Sequence, residues 1–174
     1  MGHDTPLSAG TDVIVDTNVF FAIGQPDNPR YRKFRQAIQT AGVICKLPKR
    51  VISELGGSET DRVQTALTEG WAEMIDPPSL TDGDAVAASD IARRTIASET
   101  GRPEHEIEKA DVLLAGIAVQ YARDRSRVAV LTDDKPARAG IKSAVSALGH
   151  EEKITVYGVT DIIGNDSGDS VKLI

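Results

Sequence analysis

Short apolar, often β-branched runs alternate along this chain with stretches of helical period, and that alternation admits few folds. Val13–Val15, Val43–Leu47, Ala72–Ile75, Arg127–Leu131 and Ile154–Tyr157 read as five strands. Helices are expected between them: Arg30–Ala41, Lys49–Leu55, Ser58 to about Glu69, Ala85–Glu99, about Glu106 to Arg125, and Pro136–Leu148. Val159–Ile163 adds a further turn. A strand that returns through a helix lies parallel to its predecessor, and the helices then cover both faces of the sheet. The expectation is a single three-layer α/β/α domain over residues 12–163, flanked by a loose N-terminus (1–11) and a Gly, Ser and Asp-rich tail (164–174).

Local signals support these boundaries. Asn28-Pro29 is a good cap and first-turn pair, and Gly56-Gly57 ends the helix opened by Pro48. Ser58 with Asp61, and Thr81 with Asp84, have capping-box spacing. Pro77-Pro78 stops the third strand, and Gly101-Arg102-Pro103 breaks the helix before it. The helix holding Val112, Leu113, Leu114, Ile117, Ala118 and Val119 is apolar on most sides and is expected against the sheet.

Composition mostly excludes. No apolar run in the 174 residues approaches the ~20 needed to span a bilayer, and residues 1–11 lack the apolar middle of a signal peptide. A single cysteine, Cys45, and three scattered histidines leave no thiolate or imidazole metal site, and a reducing cytoplasm is the expected compartment. A net charge of −6 argues against a protein that grips nucleic acid over its whole surface, but allows a local basic patch around an acidic pocket. The acidic excess is too small to read as adaptation to salt.

Four acidic positions carry the chemistry. Asp16 ends the first strand in Val13-Ile14-Val15-Asp16-Thr17-Asn18, where open α/β sheets place their ligands. Glu54 lies near the end of the helix after the second strand, and Asp133 and Asp134 follow the fourth. Asp111 opens the interior helix, with Glu108 three residues earlier on the same face. Each has a plain structural alternative: Asp16, Asp133 or Asp134 as helix caps, Glu54 as a solvated helix residue, Glu108 as the partner of a nearby Lys. Asp111 resists it best, because an unpaired carboxylate among apolar neighbours is costly. If the first and fourth strands are neighbours, Asp16 and the Asp133-Asp134 pair face one crevice. Clustered carboxylates without His or Cys suit Mg²⁺ or Mn²⁺, which orient and deprotonate a water and neutralise a phosphodiester.

With these residues in view, the chain resembles PIN-domain nucleases, most closely VapC-type ribonuclease toxins, over roughly residues 12–157. Val15-Asp16-Thr17-Asn18-Val19-Phe20 is similar to their opening segment and Val51-Ile52-Ser53-Glu54-Leu55 to their second motif. Ala110-Asp111 and the Ala-rich helix after it resemble the third, and Val130-Leu131-Thr132-Asp133-Asp134 the fourth. The resemblance implies a five-stranded parallel sheet of order 3-2-1-4-5. It implies Asp16, Glu54 and Asp111 as core metal ligands, with Asp134 as the fourth acid by its Thr-x-Asp spacing and Asp133 as its rival. It also implies that Asn18 and Thr132 orient ligands and water from behind. Glu108 is an additional acid that the likeness does not place. Extra residues near 101–107 and after Tyr157, and the Thr132-Asp133-Asp134-Lys135-Pro136 ending, depart from the toxin pattern.

The function this implies is a Mg²⁺- or Mn²⁺-dependent endoribonuclease, as a toxin held by an antitoxin protein or in RNA processing, with a homodimer expected. Lys49, Arg50, Lys109, Lys135 and Arg138 adjoin the acids and would meet the RNA backbone. With three Phe, three Tyr and one Trp, base stacking has few candidates, so selectivity is expected from RNA shape and local charge. A non-catalytic RNA- or partner-binding module of the same fold is the alternative, although all four acidic motifs stand intact. An aspartyl-phosphate enzyme or receiver is a further one, but phosphatases of that kind need a second acid where Asn18 stands.

Overall fold

A computed structural model describes residues 6–49, 59–77, 81–124 and 127–164. The expected helix after Lys49, its Gly56-Gly57 stop, the Ser58 cap, Pro78, and residues 1–5 and 165–174 of the termini lie outside the described residues, as do Arg50 and Glu54.

Five strands, β1 (Asp12–Val15), β2 (Cys45–Pro48), β3 (Ala72–Ile75), β4 (Val128–Leu131) and β5 (Ile154–Tyr157), form one all-parallel sheet of order 3-2-1-4-5. The central strand shows why these residues make a strand buried on both faces. Val13 and Val15 point into one layer and Ile14 into the other, and all three are fully buried. Among the described residues four helices cover the first face: α1 (Asn18–Ile23), α2 (Pro29–Ala41), α3 (Glu59–Glu69) and α7 (Val159–Ile163). The second is covered by α4 (Gly83–Thr100), α5 (Lys109–Asp124) and α6 (Lys135–Ala147). Among the described residues no helix is long and apolar enough to cross a membrane.

The first layer is knit by aromatic rings. Trp71 stands 5.6 Å from Tyr31 and 6.1 Å from Phe34 in edge-on geometry, and 6.3 Å from Phe20 in a stacked one. Phe20 lies on α1, so this cluster also sets the position of the helix that begins two residues after Asp16.

Several boundaries differ from expectation, each for a local reason. Strand β2 starts at Cys45 rather than Val43, because the chain is still closing α2: Gly42 turns left-handed at φ 71° and Val43 N–H donates to Ile38 C=O. It runs on to Pro48, a position past the β1 pairing, so the missing N–H breaks no ladder on that side. Helix α5 starts at Lys109 rather than Glu106. Residues Glu104–Glu106 form a single 3₁₀ turn, and Ile107 is extended and buried in the second core, which interrupts the helix.

Asp82, not Thr81, caps α4, accepting from Ala85 N–H at 3.1 Å. The same carboxylate takes both terminal nitrogens of Arg123, one at 2.8 Å, and so ties the start of α4 to the end of α5. Those charge-assisted bonds hold Asp82 below the usual carboxylate range despite its burial.

Candidate metal centre at the carboxyl edge of β1 and β4

Register brings the first two residues of the site together. β1 and β4 pair residue for residue, Val15 opposite Leu131, and Asp16 N–H continues the ladder to Leu131 C=O at 2.9 Å. The next residues, Asp16 and Thr132, are therefore opposite each other just beyond the sheet. By the two-residue period of a strand both point to the face of Ile14 and Val130, where α5 lies. Thr132 Oγ1 donates to Asp16 Oδ2 at 2.8 Å.

That hydroxyl organises its surroundings. It accepts from Asn18 Nδ2 at 3.1 Å and from Asp134 N–H at 3.2 Å, so its one donor and both acceptor positions are used. Asn18 in turn accepts from Asp133 N–H at 3.2 Å through its Oδ1. Thr17, absent from the sequence-based set, donates from Oγ1 to Asp16 Oδ1 at 3.4 Å. The start of α1 and the β4–α6 turn are thus fastened to each other through Asp16, Asn18 and Thr132.

Among the described residues three polar or charged ones are buried: Asp16, Asp82 and Thr132. Asp16 and Asp82 are each 8% exposed, yet Asp16 lies deeper in the protein and their environments act in opposite directions. Asp82 has Arg123 against it. Asp16 has no cation among the described residues: burial pushes its carboxyl up, the Thr132 hydrogen bond only partly offsets that, and the negative Asp134 raises it further. An ionised Asp16 at neutral pH therefore costs the fold stability.

The adjacent acids of the β4–α6 turn separate cleanly. Asp134 is half-buried and near enough to Asp16 to act on its charge, and its Oδ2 also caps α6, accepting from Ala137 N–H at 2.9 Å. Asp133 is exposed and turned the other way, its Oδ1 accepting from Val159 N–H at 2.8 Å at the start of α7. Gly158 permits that approach, since a Cβ there would meet Asp133 Oδ1 at 2.8 Å. Asp161 Oδ2 and Arg138 complete this second corner, 3.9 Å apart.

Asp111 is placed by its helix. Leu114, Ala115 and Ala118, three, four and seven residues on, are all fully buried in the core that contains Ile14, so Asp111 lies on the sheet-facing stripe of α5. Helix α5 leads into the amino end of β4, which puts its N-terminus, and the half-buried Asp111, at the same sheet edge as Asp16. Among the described residues no three His, Cys, Asp or Glu group tightly enough to hold an ion. The expected ligand set includes Glu54, which lies outside them.

The remaining sequence-selected residues divide. Glu108 is exposed, and its carbonyl accepts from Asp111 N–H. Lys109 and Lys135 are exposed at the starts of α5 and α6. Lys49 is drawn to the edge-strand side, paired with Asp76 at 2.8 Å.

A five-stranded parallel sheet in this order, with acids at the carboxyl ends of its first and fourth strands, is the arrangement of PIN-type nucleases. The sequence matches the family described as Halobacterial PIN domain over residues 9–171, and the chain belongs to that family. PIN domains as a class are nucleases, typically with divalent metal ions, and the chain is assigned to nucleases at that coarse level. No curated protein matched the chain.

Thr132→Val keeps the shape of the side chain and removes its hydroxyl. Asp16, Asn18 and Asp134 N–H each lose a partner in a buried place, so a stability loss of about 1–3 kcal/mol is expected in denaturant unfolding. Nuclease activity should fall by roughly 10- to 100-fold, as for other residues that orient metal-binding carboxylates. Thr132→Ser should recover most of both.

Proposed function

We propose that the protein is an endoribonuclease that hydrolyses RNA phosphodiester bonds with Mg²⁺ or Mn²⁺ held by Asp16, Glu54, Asp111 and Asp134. The observation that carries this reading is Asp16 itself, a buried carboxylate facing a second carboxylate with no cation among the described residues. All-oxygen donors of this kind fit a hard divalent ion. When bound, such an ion lowers the pKa of water and offsets charge on the phosphodiester.

The chain's own part is positioning. Thr132 holds Asp16 Oδ2 in one rotamer, and Asn18 locks the hydroxyl and the β4–α6 turn to α1. Asp134 adds a carboxylate whose direction is set by its cap bond to Ala137. Lys109, Lys135 and Arg138, at the starts of α5 and α6, supply positive charge for the RNA backbone on either side of the acids. The choice of RNA rests on the likeness of the four acidic segments to ribonuclease PIN domains.

The test is cleavage of an end-labelled single-stranded RNA. Cleavage is expected with Mg²⁺ or Mn²⁺, none in EDTA, and a loss of at least about 100-fold in Asp111→Asn. Because water rather than the ribose hydroxyl attacks, the products should carry no cyclic phosphate. RNA binding that persists in EDTA with no product under either metal would instead make the protein a binding module.

A further inference from the structure

Two phenylalanines stand side by side in α1, and the fold treats them oppositely. Phe20 is buried against Trp71. Phe21 is 52% exposed, the most exposed large hydrophobic side chain among the described residues and the one aromatic among those exposed. It lies one helical turn beyond Asn18, which bonds Thr132 and the Asp133 N–H, and at that spacing the two Cβ atoms are about 5–6 Å apart on one side of α1.

Two guanidiniums flank it. Arg62 from α3 donates through Nη1 to Phe20 C=O at 3.1 Å, and its guanidinium carbon stands 5.8 Å from the Phe21 ring centroid. Arg30 from α2 donates through Nε to Ala22 C=O at 3.1 Å. The carbonyls before and after Phe21 are therefore each held by an arginine. Capping the end of a short helix accounts for part of this. It does not account for the exposed ring, nor for Arg62 Nε, which is buried without an acceptor among the described residues.

An exposed aromatic ring with a guanidinium against it, on the helix that opens a phosphodiester-cleaving site, has the chemistry of a single-strand subsite. The ring and the guanidinium plane stack on a base, and the positive charge meets its phosphate. A base inside a duplex is already stacked and is not available to it. Resting on the nuclease reading above, we propose that Phe21, with Arg62, is a stacking platform for one unpaired base of the RNA. This adds a base contact to a site whose selectivity, from composition, was expected to rest on RNA shape and charge.

The experiment uses short oligoribonucleotides carrying 2-aminopurine at successive positions, bound to Asp16→Asn protein so that they are not cut. Quenching of the fluorescent base is expected at one position. In the double variant with Phe21→Ala that quench should vanish and affinity should fall roughly ten-fold, whereas Phe21→Trp keeps both. Phe21→Leu, which retains apolar bulk under Arg62, should behave like Phe21→Ala, and binding of the same sequence as a duplex should not change. In otherwise wild-type protein, Phe21→Ala should raise KM for single-stranded RNA and leave kcat nearly unchanged. A quench that survives Phe21→Ala, an equal loss for duplex, or an unchanged KM in a protein that cleaves RNA would overturn the platform and assign the patch to the α1–α3 contact or to a protein partner. Failure of the wild-type protein to cleave any RNA would overturn the nuclease reading, and is seen separately from the quench.

Discussion

Asp16→Asn is expected to reduce RNA cleavage by at least about 100-fold, beyond the range seen when a residue behind a metal ligand is lost. It should do so in a protein that folds as well as the original or better. Asparagine keeps the size of the side chain and an oxygen for Thr132 Oγ1, which donates to this position at 2.8 Å. It removes a buried negative charge that faces Asp134 and no cation among the described residues. In metal-free protein at neutral pH, the melting temperature of Asp16→Asn should therefore equal or exceed that of the wild type. The sign follows from the direction of the shift. A carboxyl raised by folding costs stability wherever it is ionised, and the cost fades as pH falls through its folded-state value. Activity lost together with stability would point to a structural aspartate; activity lost with stability kept points to a functional one.

The largest loss of stability is expected at Trp71, which touches none of the acids of the site. Its ring touches Phe20, Tyr31 and Phe34 and is 2% exposed, so Trp71→Ala opens a cavity among three aromatic neighbours. A cost of about 3–5 kcal/mol is expected, measurable as a lower denaturant midpoint with little change in slope. Because Phe20 rests on this ring, the damage reaches α1 and with it Asn18. Remaining folded Trp71→Ala protein should therefore also show weakened cleavage, while Phe21, on the outer side of α1, is affected only through the helix that carries it.

Much of the framework was legible from local pattern. Ala72–Ile75 and Ile154–Tyr157 form strands where the apolar runs end at Pro77 and Gly158, and Val159–Ile163 makes the short final helix. The strand order came from the family likeness, and the pairing of β1 with both β2 and β4 agrees with it. What failed to show locally depends on distant partners. Thr81 and Asp82 are both good caps in sequence, and Arg123, 41 residues away, favours Asp82. Ile107 reads as part of a helix until its burial beneath α4 and α5 is known.

The site divides in the same way. Asp16 and the Asp133-Asp134 pair were recognisable because strand ends collect side chains at one edge, while Asn18 and Thr132 came from the family likeness. Asp133 and Asp134 are locally equivalent, and in sequence only the Thr-x-Asp spacing of the family likeness favours Asp134; in the fold Val159 N–H, 26 residues on, separates them by engaging Asp133. Phe20 and Phe21 are likewise equivalent until Trp71 packs against one of them. The signal for Phe21 was its spacing of one turn from Asn18, which gains meaning only once Asn18 is placed in the site.

The central claim is that Asp16 belongs to a divalent-ion site, and Mn²⁺ titration followed by thermal unfolding tests it without any substrate. An ion that binds only the folded state must stabilise it, by about 2.7 kcal/mol at a hundred times the dissociation constant. The wild-type melting temperature should climb with Mn²⁺ and return in EDTA, and Asp16→Asn should show no such rise from its own, equal or higher, starting point. A wild-type protein indifferent to both Mn²⁺ and Mg²⁺, or an identical rise in Asp16→Asn, would contradict the claim.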